Sequence, residues 1–263
     1  MLLRIAVRAL VVGLAALALV PAVHADPRPW TFVTDLYPEG KGNIEFEHYT
    51  TWETHKKNEK GFNSFQFKEE IELGIAENFD ISIYVANWNY EDSRERKGSR
   101  YESSGMDAVF YLSKPTDWIG VGFYVEALLG ESAHEYSVEA KLLLQKDIGK
   151  WSFAYNLIAE TVVSRAGGEN SVEGALGHAL GVSYAVDRNW RIGGELTIES
   201  IFTEWSHYEQ TSVYAGPNIS YIGNGIPGTK NSNWWITVTP AFQLSNLDDE
   251  PGFVVRAIVG IDF

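Results

Sequence analysis

The chain has 263 residues, no cysteine and a formal net charge of −14. Without cysteine there can be no disulfide, no thiolate metal site and no lipid-modified cysteine of the lipoprotein kind. So acidic a chain repels nucleic acid and lacks the basic segments that bind anionic lipid surfaces.

The first element reads as a removable one. Arg4 and Arg8 supply a positive start, Ala9 to Val20 form an apolar run, and Pro21 to Ala25 end it with small residues at the −3 and −1 positions. Residues 1–25 are therefore expected to be a secretory signal peptide. The apolar run falls short of the roughly twenty residues that a spanning helix needs. Cleavage removes two arginines and no acid, which leaves −16. Residues 26–41 are expected to be a periplasmic N-terminal segment. Residues 42–263 contain no linker and no shift of composition, so they read as one domain.

From residue 42 onward the sequence alternates. In Trp190 to Ser200, the even positions carry Trp190, Ile192, Gly194, Leu196, Ile198 and Ser200. The odd positions carry Arg191, Gly193, Glu195, Thr197 and Glu199. Period-two alternation means a strand with one apolar and one polar face. On this basis twelve strands are expected, at 42–54, 62–75, 80–91, 104–113, 118–130, 135–146, 150–164, 174–186, 189–201, 210–221, 233–243 and 252–263. Strands in globular proteins run to about five or six residues. Membrane strands need about nine to eleven, which these exceed. The predicted fold is all-β: one antiparallel up-and-down transmembrane β-barrel of about twelve strands.

Connections are expected to alternate between short turns and longer polar loops, as in such barrels. The short ones fall near 77–78, 114–117, 147–149 and 187–189. The long ones fall near 55–61, 92–103, 165–173, 203–209 and 245–251. Residues 223–233 break the alternation. An aromatic follows each short connection, at Phe79, Trp118, Trp151 and Trp190, and Trp234 follows the stretch 223–233 in the same way. Rings at one height suit a headgroup girdle. Trp52, Trp88, Tyr90, Phe202 and Trp205 are expected at the opposite rim. Pro217 and Pro240 lie inside neighbouring strand patterns; proline lacks the ladder N–H, so that wall is expected to be bulged or its strands shorter than these spans.

The chain ends Gly252-Phe-Val-Val-Arg-Ala-Ile-Val-Gly-Ile-Asp-Phe263. An alternating last strand closing on Phe263 resembles the assembly signal of Gram-negative outer-membrane barrels. The opening from Thr34 through Pro38-Glu39-Gly40-Lys41 to Glu47 resembles uncharacterised, transporter-like barrels of the same membrane. The resemblance covers nearly all of the mature chain. It implies contact with outer-membrane lipid and with the barrel-assembly machinery, both termini in the periplasm, and solute passage. It brings over no functional residue.

If the apolar alternate faces lipid, the other faces the lumen. That set includes Lys68, Glu70, Asp107, Glu126, Glu139, Lys141, Glu160, Arg191, Glu195, Glu199 and Arg256, with Glu45, Glu47 and Glu72. Twelve strands lie between the eight that side chains fill and the sixteen that leave a water channel. A narrow or partly plugged lumen is expected. Strand eight has a small-residue face (Ala175, Gly177, Ala179, Gly181, Ser183, Ala185), which leaves room beside it. Two readings stand side by side. One is a constricted acidic pore for small polar or cationic solutes. The other is a closed lumen of paired charges, with the outer loops 92–103 and 165–173 acting in adhesion.

Catalytic readings are weaker. Acid pairs such as Glu195 and Glu199 suit a glycosidase but are common in polar lumens. His55, His134 and His207 sit in loops without tight ligand spacing. His178 and Ser200 face lipid near one rim, as a lipid hydrolase would need, yet the register sets Ile198 opposite His178. No catalytic, cofactor or metal residue is therefore assigned.

Overall fold

The computed structural model describes residues 28–131, 134–166, 169–225 and 232–263. The expected signal peptide at 1–25 lies outside these described residues. Alternation produces twelve strands: β1 (Ile44–Thr54), β2 (Asn63–Ala76), β3 (Phe79–Asp92), β4 (Lys97–Ser113), β5 (Gly120–Gly130), β6 (Glu135–Ile148), β7 (Trp151–Ala166), β8 (Glu169–Ala185), β9 (Trp190–Thr203), β10 (His207–Asn224), β11 (Asn233–Gln243) and β12 (Phe253–Asp262). Each pairs antiparallel with its neighbour in sequence, and β1 pairs with β12 to close the barrel. Closure matters because lipid offers no hydrogen bonds to an open sheet edge.

Burial is inverted relative to a water-soluble protein. Along β1, Glu45, Glu47, Tyr49 and Thr51 are buried, while the alternates from Phe46 to Trp52 are partly exposed. Glu70 and Asp107 are buried too, whereas Val85, Met106, Phe110, Val125 and Val138 are exposed. Polar inside and apolar outside is the pattern of a barrel solvated by lipid.

Ring clusters mark the two ends of the apolar belt. Phe79 stacks on Phe110 with centroids 4.5 Å apart, Trp151 meets Tyr184 at 4.8 Å, and Tyr221 lies between Trp190 at 4.5 Å and Trp234 at 5.5 Å. All of these lie at the end of the short turns. Trp118 points away from the barrel at 90 % exposure. At the opposite rim, Trp52 contacts Phe65 and Phe253, Phe67 contacts Trp88, and Phe202 contacts Trp205. At the turn end, Asp187 Oδ1 accepts the backbone N–H groups of Asn189 and Trp190 at 2.8 and 2.9 Å. Those two bonds hold its carboxyl below the usual range and fix the start of β9.

Three expected loops are mostly strand. In place of 92–103, Asp92 pairs with Lys97 and only residues 93–96 turn. In place of 165–173, β7 and β8 stay paired as far as Ala166 and Glu169. In place of 203–209, β9 and β10 are joined by 204–206, with Glu204 and Trp205 at positive φ. Positive φ at successive residues suits the turns whose twist matches a hairpin. Polar residues mislead here because a ribbon beyond the lipid zone pairs its backbone whatever its side chains. The adhesive reading thus loses its two long loops and keeps two projecting hairpins.

The prolines neither bulge the wall nor shorten its strands: β10 and β11 run through Pro217 and Pro240 in one register, and only the ladder between them is interrupted. The β10–β11 ladder runs to Ala215 opposite Phe242 and resumes at Ile219 opposite Val238. Between these pairs lie Pro217 and Pro240, neither of which has an N–H to give. The strands approach so closely here that a Cβ on Gly216 would overlap the Pro240 carbonyl.

Candidate functional site: a lumen filled by the N-terminal segment

Residues 28–39 do not lie outside the barrel, as the sequence suggested for 26–41; they run through its lumen. The physical reason is on both partners. A twelve-stranded interior is too wide for its own side chains to fill. A segment without ladder partners carries free backbone N–H groups, which cannot be buried unpaired.

Inward-facing side chains of distant strands supply the missing acceptors. The Glu195 carboxylate accepts the N–H groups of Thr31, Phe32 and Val33 at 2.9, 2.7 and 3.1 Å. It also accepts the hydroxyls of Thr31 at 3.2 Å and Thr239 at 2.5 Å. Bonds to an ionised acceptor are roughly twice as strong as neutral ones, so five of them anchor the segment firmly. Asn156 clamps Thr34 at both ends, accepting its N–H at 2.7 Å and donating to its carbonyl at 2.9 Å. Gln145 accepts the Leu36 N–H at 2.7 Å, and Asp80 accepts that of Glu39 at 3.0 Å. The carbonyls of Arg28 and Pro29 accept from Thr237 and Asn218.

Apolar contacts complete the plug. Trp30 and Val33 are buried against Ala154 and Ala179, with Ile158 beside them. Leu36 packs with Val109, Tyr124 and Leu143. The small face of β8 thus has an occupant, because a Cβ on Gly181 would sit 2.6 Å from the Trp30 indole nitrogen.

Charge closes the remaining gaps. Arg28 meets Glu47 at 2.7 Å and Glu72 at 2.8 Å, with Glu70 at 3.9 Å. Lys68 pairs with Glu70 at 2.9 Å and lies about 4 Å over the rings of Tyr49 and Tyr84. Tyr84 donates to Asp107, and Tyr124 donates to Glu126 at 2.8 Å. Lys141 pairs with Glu139 at 2.9 Å above the Tyr124 ring. Arg256 lies over the Phe32 ring at 4.5 Å.

These groups surround a cavity of about 380 Å³ on the loop side of the plug, bounded below by Thr31 to Thr34. Two further cavities open at the loop-end mouth. One of about 380 Å³ holds Glu102, Glu135 and Glu160; the other, of about 250 Å³, holds Glu53, Glu199 and Glu250.

Of the residues expected to line the lumen, Lys68, Glu70, Asp107, Glu126, Glu139, Lys141 and Arg256 border the central cavity. Glu195 lies beneath the plug. Glu160 and Glu199 lie at the mouth. Arg191 sits toward the turn end, donating to Ser183 at 3.2 Å and Ser152 at 2.8 Å. Arg28, Trp30, Asn156 and Gln145 were missed. Asn156 and Gln145 have the same parity as Glu160 and Lys141 in their strands, and that was the available signal. His178 faces outward opposite Ile198, with its Nδ1 2.8 Å from the Tyr155 hydroxyl. The Ser200 hydroxyl is instead 2.8 Å from that of Thr211.

A closed antiparallel barrel with an apolar belt, two aromatic rims and a filled polar lumen has the architecture of outer-membrane β-barrel proteins. Among solved structures it is similar to the COG4313 outer membrane channel from Pseudomonas putida F1, at 11% identity and a TM-score of 0.58, covering 91% of this chain and 100% of that one. It is also similar to the NanC porin, at 10% identity and a TM-score of 0.53, covering 83% and 98%. At such identities the likeness is one of fold. The chain belongs to a family of unknown function, DUF6662, whose model matches residues 22–251. No curated protein sequence matches it.

Proposed function

We propose that this protein is a narrow passive channel for small cationic or polar solutes, closed from within by residues 28–39. One observation carries the reading: acids at the mouth face open cavities while the passage below is filled by a segment that joins no strand ladder. Glu53, Glu160 and Glu199 join no ion pair among the described residues. A mouth lined with one sign of charge concentrates the opposite ion. The plug is held by side chains to backbone, not by a ladder, so it can leave without unzipping any strand.

The test is conductance and reversal potential in planar bilayers, for the wild type and for a chain lacking residues 28–39. Folding of both is checked by heat-dependent gel mobility. The plug-free barrel should conduct in larger, more frequent steps and prefer cations. A folded plug-free barrel with no steps above background would overturn the reading.

A further inference from the structure

The barrel closes where β1 meets β12, and that seam sets two acids face to face. Glu45 and Asp262 are direct cross-strand partners, and both are buried, at 1% and 6% exposure. Glu39, at the root of the plug, brings a third carboxylate. One oxygen from each of the three lies within 4.8 Å of the other two. Like charges opposite each other on a ladder repel, and a carboxylate taken out of water needs compensation.

Outside the trio itself, the described residues offer little compensation. Neither oxygen of Asp262 nor Oε2 of Glu45 takes a hydrogen bond from any other described residue, while the two carboxyls lie within hydrogen-bond reach of each other. Glu45 Oε1 takes the Trp235 indole N–H, at 2.7 Å. Arg28, whose charge reaches Glu39, is already engaged by Glu47 and Glu72. The neighbouring group of Glu47, Glu70 and Glu72 has the same three-carboxylate geometry, and there a cation of the protein fills it.

We infer that Glu39, Glu45 and Asp262 form a binding site for a hard divalent cation of the calcium class. All three donors are carboxylate oxygens, which suit Ca²⁺ or Mg²⁺ over metals that favour nitrogen or sulfur. Neither Asp262 oxygen is held by a described residue outside the trio, so the carboxylate can bind through either or both, and water completes the shell. A bound ion ties β1, β12 and the plug root together at the seam. None of this depends on which solute passes, or whether one does.

Terbium luminescence tests the site, because the Trp235 indole touches Glu45 and serves as the antenna. The probe is Tb³⁺ added to the full chain refolded in detergent micelles. The expected result is Tb³⁺ emission that Ca²⁺ reverses, with affinity at least tenfold weaker in Asp262→Asn. Trp235→Phe should lose most of the emission yet keep Ca²⁺ binding by calorimetry. Glu39→Gln lies outside every ladder and weakens binding likewise, so a folding failure of Asp262→Asn leaves the test intact. Folded wild type without Ca²⁺-reversible emission, or Glu39→Gln with unchanged affinity, would overturn the inference. A proton shared between Glu45 and Asp262, with no metal, gives that outcome.

Discussion

The carboxylate of Glu195 accepts the backbone N–H of Phe32 at 2.7 Å, across 163 positions of sequence. The bond joins the middle of β9 to a segment that enters the chain before the first strand. Glu195→Ala removes this acceptor and leaves the N–H groups of Thr31, Phe32 and Val33 without it. Each lost bond to a charged acceptor is worth about 1.5–3 kcal/mol. Open probability in bilayers should rise several-fold while the barrel remains folded by gel mobility.

Gly181 and Trp30 form a second test. Gly181→Val places side-chain atoms where the indole sits. It should expel the plug and raise ion flux into liposomes. Trp30→Ala leaves a void instead, at about 3–5 kcal/mol for the plug's packing. Combining the two should cost less than the sum of the separate changes, because the smaller residue makes room for the larger.

Arg28 answers three buried acids. Arg28→Ala leaves Glu47 and Glu72 without their paired cation, which costs about 3–5 kcal/mol for a buried pair. Limited proteolysis of refolded protein should cut within residues 28–39 in the variant and spare them in the wild type.

Mouth charge sets selectivity in the channel reading. Glu160→Gln with Glu199→Gln should shift the reversal potential toward zero under a salt gradient, with conductance reduced by less than half. The same pair of changes should leave plug protection from protease untouched.

Pro217 and Pro240 give a prediction independent of transport. With no amide to donate at Pro217 or Pro240, the pairs flanking the gap lose a ladder neighbour, so the amides of Ala215, Ile219, Val238 and Phe242 should exchange faster than those of β7 and β8. Hydrogen exchange of the refolded barrel measures this directly.

The strands were legible because lipid and lumen enforce a strict period of two. Trp190 to Ser200 shows it without any structure, and so does the run closing on Phe263. Glu195 was legible as a lumen residue, but its partners were not. Backbone N–H groups of Thr31, Phe32 and Val33 carry no side-chain signature, so nothing in the sequence announces that they need an acceptor. The loops at 92–103 and 165–173 failed for a different reason. Polarity marks where the lipid ends, and it does not mark where backbone pairing ends. Glu45 and Asp262 were each readable as inward-facing; only the register of the closing seam brings them together.

The central claim is that residues 28–39 occupy the lumen, and the native chain's lack of cysteine makes it directly testable. The Asn156 side chain bonds both backbone groups of Thr34, so Thr34→Cys with Asn156→Cys puts two thiols within reach of a short bifunctional maleimide in an otherwise thiol-free protein. Treating the doubly substituted barrel, folded in membranes, with that reagent should give an internally linked species of altered denaturing gel mobility. A folded barrel in which the thiols stay unlinked and each reacts separately with a water-soluble maleimide would place the segment outside and contradict the account.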